Sequence, residues 1–255
     1  MIRVQSYKKI CNFAKKSISL QQIYGMESNH FIHHIAKELV HWMPVVQFDG
    51  NVIVVDTPDK IADSIEYLRD QPVLGVDTET RPSFTRGVHY PTALVQIASE
   101  QRCYLFRLTH IGMPKALADL FANPRICKVG LAFKDDLNGL RRRHDFKPAN
   151  CVDLQKIAPK YGILDLGLQK MFAICFGKKI SKAQQLTNWE ASHLTPEQAR
   201  YAATDAWATL LLYKRLLATQ PLSKADQEIL LREEHDSQVA HQQAVIAARE
   251  QATAQ

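Results

Sequence analysis

The stretch PVLGVDTETRPSFTRGVHYPTALVQIASEQRCYLFR (72–107) carries three strand patterns in close succession. PVLGVDTET (72–80) is predicted as one strand, because a buried apolar run leads into alternating polar residues. TALVQIA (92–98) and RCYLFR (102–107) are separated by only Ser-Glu-Gln, which is typical of the two arms of a β-hairpin. This stretch therefore predicts strands and a hairpin within a single sheet.

The flanking sequence adds helices on both sides of this stretch. NVIVVD (51–56) is predicted as a strand of β-branched residues and is followed by apolar residues at helical spacing. CKVGLA (127–132) predicts a further strand, and FKDDLNGLRRR (133–143) predicts a helix. Thr195-Pro196-Glu197-Gln198 is a capping box that starts a helix running to about Leu217. We therefore expect an α/β fold, with a mixed β-sheet flanked by helices and a helical C-terminal part.

The chain is expected to divide into three parts. Residues 51–217 form the predicted domain, and residues 1–50 form an N-terminal extension. Within the extension, residues 1–25 are basic and contain no acidic residue, and Met26 is an alternative start, so we expect 1–25 to be untranslated, disordered or dispensable. Residues 218–255 are rich in Ala, Gln and Glu, which predicts a polar tail that is helical or disordered.

Composition excludes several classes of protein. The 255 residues contain no apolar stretch near the roughly 18 residues that span a bilayer, so we expect no membrane partner. The net charge of +6 suits a polyanionic partner without proving one. Five widely spaced cysteines without a C-x-x-C pair favour reduced thiols and a cytoplasmic protein. Glycine-rich nucleotide-binding and serine-hydrolase motifs are absent from the sequence, so no nucleotide cofactor is expected.

Two carboxylates stand at the end of the second predicted strand. Asp77 and Glu79 are two residues apart, so their side chains project from the same face of a strand. Two adjacent carboxylates repel each other unless a cation lies between them, and hard oxygen ligands select Mg²⁺ or Mn²⁺. The alternative is a pair of solvated acids at a strand end.

Two further segments contain candidate ligands. In YAATD (201–205), Tyr201 and Asp205 are four residues apart and so lie on one face of the capped helix. A carboxylate in such an alanine-rich, close-packed helix needs a partner or a metal, although an exposed Asp205 is the alternative. In the predicted helix 133–143, both Asp135 and Asp136 follow the helix start, where acids also complement the helix dipole. Asp136 flanks the apolar stripe, which favours it as the inward carboxylate.

Together these motifs resemble those of a known nuclease family. Asp77-x-Glu79 on a strand, Asp136 on a helix after Lys-Val-Gly, and Tyr-Ala-Ala-Thr-Asp (201–205) on a late helix are similar to the three exonuclease motifs of the DEDD superfamily. The chain most resembles the ribonuclease D and Werner-syndrome exonuclease-domain group over residues 51–217. Tyr201, four residues before Asp205, matches the tyrosine (DEDDy) branch.

The resemblance implies a ribonuclease H-like fold and metal-dependent 3′–5′ exonuclease activity on a single-stranded 3′ end of DNA or RNA. It implies that Asp77, Glu79, Asp136 and Asp205 bind two divalent cations, Mg²⁺ or Mn²⁺, and act in catalysis with Tyr201. Two such ions activate water and stabilise the leaving oxygen in in-line phosphodiester hydrolysis. The alternative is a catalytically silent nucleic-acid-binding or interaction module on the same fold.

Substrate contacts are predicted less specifically. The candidates are polar, basic or aromatic residues near the motifs: Thr78, Arg81, Lys178, Lys182 and Trp189. The basic residues suit phosphate contacts, but solvated surface positions are the alternative. Trp189 is a weak candidate for stacking on a base, and packing in the core or at the start of a helix is the favoured interpretation. Neither the choice between DNA and RNA nor the oligomeric state follows from these residues.

Overall fold

The computed structural model describes residues 30–253 of the chain. The prediction about residues 1–25 lies outside these described residues. Within them, the predicted mixed sheet flanked by helices is confirmed. The strands of this sheet are β1 (Asn51–Val55), β2 (Val73–Thr80), β3 (Thr92–Ala98), β4 (Arg102–Arg107), β5 (Cys127–Gly130) and β6 (Cys151–Asp153).

The described sheet has the strand order β1-β4-β3-β2-β5-β6. The predicted hairpin is confirmed, since β3 pairs antiparallel with β4, and β3 also pairs antiparallel with β2. The outer pairs β1–β4, β2–β5 and β5–β6 are all parallel. The strand that carries Asp77 and Glu79 is therefore central, between an antiparallel and a parallel neighbour.

Helices cover both faces of this sheet. One face is covered by α2 (Asp59–Arg69), α4 (Lys115–Ala122) and α5 (Phe133–Arg141), which share an apolar core with Leu74 and Val76. The opposite face carries α7 (Leu168–Phe176) and α8 (Pro196–Leu217). Short helices α1 (Lys37–Trp42), α3 (Leu108–Ile111), α6 (Leu154–Ile157) and the 3₁₀ turn Ala158–Tyr161 lie between these elements, and α9 (Lys224–Thr253) follows α8.

Helix α8 lies very close to strand β2. The predicted capping box is present, because the Thr195 side chain accepts from the Gln198 backbone while the Gln198 side chain accepts from the Thr195 backbone. A Cβ atom at Gly75 would come within 2.0 Å of the Ala206 carbonyl oxygen, so only glycine permits this approach. Buried Ala202 and Ala206 present small side chains to the sheet. The close packing places one face of α8 directly against the acidic end of β2.

The segment before β1 packs on the domain. Phe31 and Ile35 are buried in the core that α7 and α8 share, and Phe48 is buried beside α8. The Arg200 guanidinium donates to the Phe48 and Gly50 carbonyl oxygens at 2.6 and 3.1 Å. Residues 31–48, although expected to belong to an extension, therefore contribute to the core.

The last helix extends away from this core. Helix α9 keeps most of its described side chains exposed and contacts the body near Leu230, which is buried. His34 lies 3.0 Å from the Glu234 carboxylate and links α9 to the segment before α1. None of the helices within residues 30–253 combines the length and apolar character needed to cross a bilayer.

Candidate metal centre and active site

Strand β2 supplies two of the predicted carboxylates. Asp77 and Glu79 project from the face of β2 that α8 covers, as their two-residue spacing predicts. Their partners across the antiparallel pairing are Gln96 and Leu94, and the register shifts after Glu79. Both carboxylates are partly buried at the point where regular pairing ends. The strand therefore presents two acids side by side at the edge of the packed region.

Helix α8 supplies the next two groups. Asp205 is buried, and its carboxylate accepts a hydrogen bond from the Tyr201 hydroxyl, one helical turn earlier. Carboxylate oxygens of Asp77, Glu79 and Asp205 all lie within 4.8 Å of one another. Residues separated by more than a hundred positions therefore form one group that is compatible with binding a metal ion.

Asp136 is the fourth carboxylate, and it approaches from the other side of the sheet. The Thr78 hydroxyl donates to its carboxylate at 2.5 Å, and its charge raises the pKa values of both Asp77 and Glu79. Asp135 is exposed, whereas Asp136 is partly buried. Asp136 is thus the inward member of the pair, although it lies outside the tight group of three.

Asp153, which the sequence analysis did not single out, holds the start of α5. Its carboxylate accepts from the backbone nitrogens of Ala132 and Phe133 at 3.0 and 3.1 Å, and from that of Gln155 at 3.0 Å. Ala132 adopts a left-handed conformation with a φ of 51°. Asp153 therefore caps two helices at once and sets the direction from which Asp136 enters the site. In the sequence, Asp153 could have been recognised as a capping residue, because it is an acid directly before a predicted helix.

The surroundings of the four carboxylates disfavour their ionised forms. Burial is the largest cause that raises the pKa of each, to about 9 for Glu79, about 7 for Asp205 and about 6 for Asp136. The pKa of Asp77 is also raised well above its ordinary value, by burial and then by the charges of Asp205, Glu79 and Asp136. An all-oxygen donor set of this charge suits hard divalent cations, so these residues fit the predicted metal.

These shifts predict how the stability of the metal-free protein depends on pH. Folding raises the pKa of Glu79 from 4.5 to about 9, so the folded state binds more protons than the unfolded state between these values. The free energy of unfolding therefore decreases as pH rises through this range. We expect the thermal midpoint in EDTA to be at least about 5 °C lower near pH 8.5 than near pH 5.5. Added Mn²⁺ should raise the midpoint more at the higher pH, because ionised carboxylates are the ligands.

Differential scanning fluorimetry at both pH values, with EDTA or with Mn²⁺, makes this measurement. Glu79→Gln is the control, since it removes one of the groups responsible and should flatten the decrease. An equal increment from Mn²⁺ at both pH values would contradict the predicted link between ionisation and binding.

The predicted substrate contacts occupy different environments. Lys182 is exposed, and its charge lowers the pKa of Asp205, so its ammonium group lies within electrostatic reach of the cluster. Arg81 is exposed, lies 3.5 Å from the Glu190 carboxylate and stacks over the Tyr90 ring at 4.7 Å. Lys178 is exposed. The Thr78 hydroxyl donates a hydrogen bond to Asp136. Contacts of Lys182, Arg81, Lys178 and Thr78 with a substrate remain predictions.

Trp189 packs in the core, as its favoured interpretation predicted, and its weak candidacy for stacking on a base is wrong for this structure. Its side chain is 0% exposed and its ring packs against Tyr201 with centroids 6.0 Å apart. A fully buried indole has no face left for a nucleotide. Trp189 instead supports the ring of Tyr201 from behind.

A cavity of about 330 Å³ opens beside Tyr201. It is lined by residues from the segment before β1, from the loop before α8 and from α8 itself, including Gln47, Ser181, Gln184 and Arg200. Sequence reasoning did not find it, because its walls come from segments far apart in the chain. Its position next to Tyr201, at the edge of the acidic cluster, makes it a candidate place for part of a ligand.

Comparisons with known proteins agree with this geometry. A family model described as 3′–5′ exonuclease matches residues 52–219. The mouse bifunctional 3′–5′ exonuclease/ATP-dependent helicase WRN is 30% identical over 68% of this chain, and mouse exonuclease 3′–5′ domain-containing protein 2 is 33% identical over 70%. The chain spans only 13% and 28% of the lengths of these two relatives.

A solved structure is also similar. Escherichia coli RNase D, which is 26% identical, matches with a TM-score of 0.59 over 66% of this chain and 44% of its own. The ribonuclease H-like fold that the motif resemblance implied is therefore confirmed.

Proposed function

Because this chain belongs to the 3′–5′ exonuclease family, we propose that it hydrolyses phosphodiester bonds of a nucleic acid, one nucleotide at a time from a single-stranded 3′ end. The observation that carries this proposal is the convergence of Asp77, Glu79 and Asp205 within 4.8 Å, with Asp136 and Tyr201 beside them. The relatives supply the reaction class. The cluster supplies the chemistry that such a reaction needs, namely acidic ligands for cations that neutralise phosphate charge.

The residues that would hold the cations are the four carboxylates. Asp77, Glu79 and Asp205 form one group of ligands, and Asp136 adds a fourth from the opposite side. Their combined charge of about −4 balances two divalent cations, so we propose that two ions of Mg²⁺ or Mn²⁺ bind here. When bound, such ions lower the pKa of water and stabilise the oxygen that leaves the phosphorus.

Tyr201 is proposed to orient the attacking water rather than to remove its proton. Burial, followed by the charge of Asp205, raises the pKa of this phenol well above its ordinary value, so the hydroxyl stays protonated at neutral pH. Its proton is donated to Asp205, which leaves the oxygen lone pairs free to accept from a water molecule. Trp189 behind the ring restricts its movement and so keeps this oxygen in place.

Three exposed basic side chains are candidates for contacts with the substrate backbone. The charge of Lys182 acts on Asp205, Lys178 is exposed four residues before Lys182, and Arg81 is exposed two residues after Glu79. We propose that these residues contact phosphates, since such contacts position a strand without reading its sequence. A solved Trypanosoma brucei RNase D bound to RNA U12 has a similar fold, which makes RNA as well as DNA a substrate to test.

The test is digestion of oligonucleotides labelled at the 5′ end, as matched DNA and RNA strands, with Mg²⁺ or Mn²⁺. We expect a ladder of products that shorten from the 3′ end, and no products in EDTA. The Tyr201→Phe variant should lower the rate about 10- to 100-fold while Mn²⁺ affinity stays near that of the wild type, because only the water-orienting oxygen is lost. Binding of both strands without any shortening would overturn the proposal in favour of a silent binding module.

A further inference from the structure

Gln96 occupies an unusual position next to the acidic cluster. It lies in β3 directly opposite Asp77 in the antiparallel pairing with β2. Opposite residues of such a pair point to the same face of the sheet, with their Cβ atoms about 5 Å apart. The Gln96 side chain therefore projects from the face that α8 covers, as Asp77 does.

The amide of Gln96 is buried without a partner. The residue is 0% exposed, and neither Nε2 nor Oε1 has a hydrogen-bond partner among residues 30–253. Its other cross-strand neighbour is Leu105 of β4, and buried Ala202 and Ala206 lie over this face of the sheet. An unpaired amide in such apolar surroundings costs folding free energy, whereas leucine or methionine would occupy the space at no such cost.

The register of the sheet places a strong acceptor directly across from this amide. The Asp77 carboxylate is directly opposite, and an ionised carboxylate accepts stronger hydrogen bonds than a neutral group does. Ligands of a metal are commonly held in orientation by a second hydrogen-bonding residue, and its loss typically weakens metal binding 10- to 100-fold.

We propose that Gln96 is a positioning residue for Asp77. Its Nε2–H group donates to the Asp77 carboxylate in the cation-bound protein and so fixes the carboxylate in the orientation in which it holds the ion. This inference rests on one part of the proposed function, namely that Asp77 is a cation ligand. It assigns a role to a buried residue that none of the three acidic motifs contains.

The experiment compares Gln96→Leu with the wild type in two measurements that do not depend on hydrolysis. The first is Mn²⁺ affinity by isothermal titration calorimetry, and the second is the thermal midpoint in EDTA. We expect affinity to fall about 10- to 100-fold, while the midpoint is unchanged or higher because an unpaired amide has been removed. Gln96→Met, which is unbranched like glutamine, makes the same test if the leucine variant fails to fold.

Leu105→Met is the matched control, since it alters packing beside Gln96 while conserving volume and adding no polar group. It should leave Mn²⁺ affinity within about twofold of the wild type. Wild-type affinity in both Gln96 variants would overturn the inference, even if the wild-type protein digests oligonucleotides. Mn²⁺ binding that depends on Gln96, in a protein that digests neither strand, would overturn the proposed function and support the inference. Absence of Mn²⁺ binding by the wild type would overturn both.

Discussion

Replacing Asp77 with asparagine should lower the rate of hydrolysis at a 3′ end by at least about a thousandfold, because residues that act as one catalytic unit lose nearly all activity together. Asp77 is the carboxylate most affected by the other members of the cluster, since the charges of Asp205, Glu79 and Asp136 all raise its pKa. An amide keeps the shape of the side chain but lacks the negative charge that a divalent cation requires. The measurement is the single-turnover rate on a 5′-labelled strand at saturating Mn²⁺.

The same substitution should not unfold the protein. Removing a buried carboxylate that repels its neighbours relieves a cost of folding, so the thermal midpoint of Asp77→Asn in EDTA should equal or exceed that of the wild type. Asp145→Asn is the matched control, because the Asp145 side chain is 95% exposed and lies outside the cluster. Retention of more than a tenth of the wild-type rate by Asp77→Asn would show that hydrolysis takes place elsewhere.

Neutralising Asp136 should be far more damaging than neutralising its neighbour. Asp136→Asn is expected to lower the rate about 100- to 1,000-fold, since its carboxylate accepts from Thr78 and interacts electrostatically with Asp77 and Glu79. Asp135→Asn should change the rate less than about threefold, because that side chain is exposed on the same helical turn. Both substitutions remove one negative charge near the start of α5, so their effects on the helix dipole are alike, and the comparison isolates the direction of the side chain.

Parallel single-turnover rates for both variants, with thermal midpoints to verify folding, make this comparison. Equal rates for the two variants would mean that the loss of charge near α5, rather than a specific ligand, is responsible. A larger loss in Asp135→Asn would place the opposite face of α5 towards the substrate and would contradict the position of Asp136 described above.

Much of the fold follows from local patterns. The hairpin of β3 and β4 was predictable because a three-residue connection leaves two apolar runs little choice except antiparallel pairing. The start of α8 was predictable because Thr195 and Gln198 satisfy each other's backbone groups within one turn. The choice of Asp136 over Asp135 depended on helical periodicity, which is also a local property.

Other features depend on contacts between distant segments. A core position for Trp189 was the favoured interpretation, but its partner was not predictable, because Tyr201 comes from a different element and only the tertiary packing brings the two rings together. Gln96 was visible as one polar residue in the apolar run TALVQIA, but its importance lies in being opposite Asp77 on another strand. The packing of residues 31–48 on α7 and α8 likewise has no periodic signature in the sequence.

The amino-acid sequence by itself determined which acids are available and which face of its own strand or helix each one occupies, because side-chain direction repeats every two residues in strands and every 3.6 in helices. Tertiary structure decided which of those faces meet. The absence of a Cβ atom at Gly75 lets α8 lie against β2, and this approach brings Asp205 to Asp77 and Glu79 across more than a hundred residues. Burial of the assembled carboxylates raises their pKa values, so the complete cluster favours a bound cation more strongly than Asp77 and Glu79 would on their own strand.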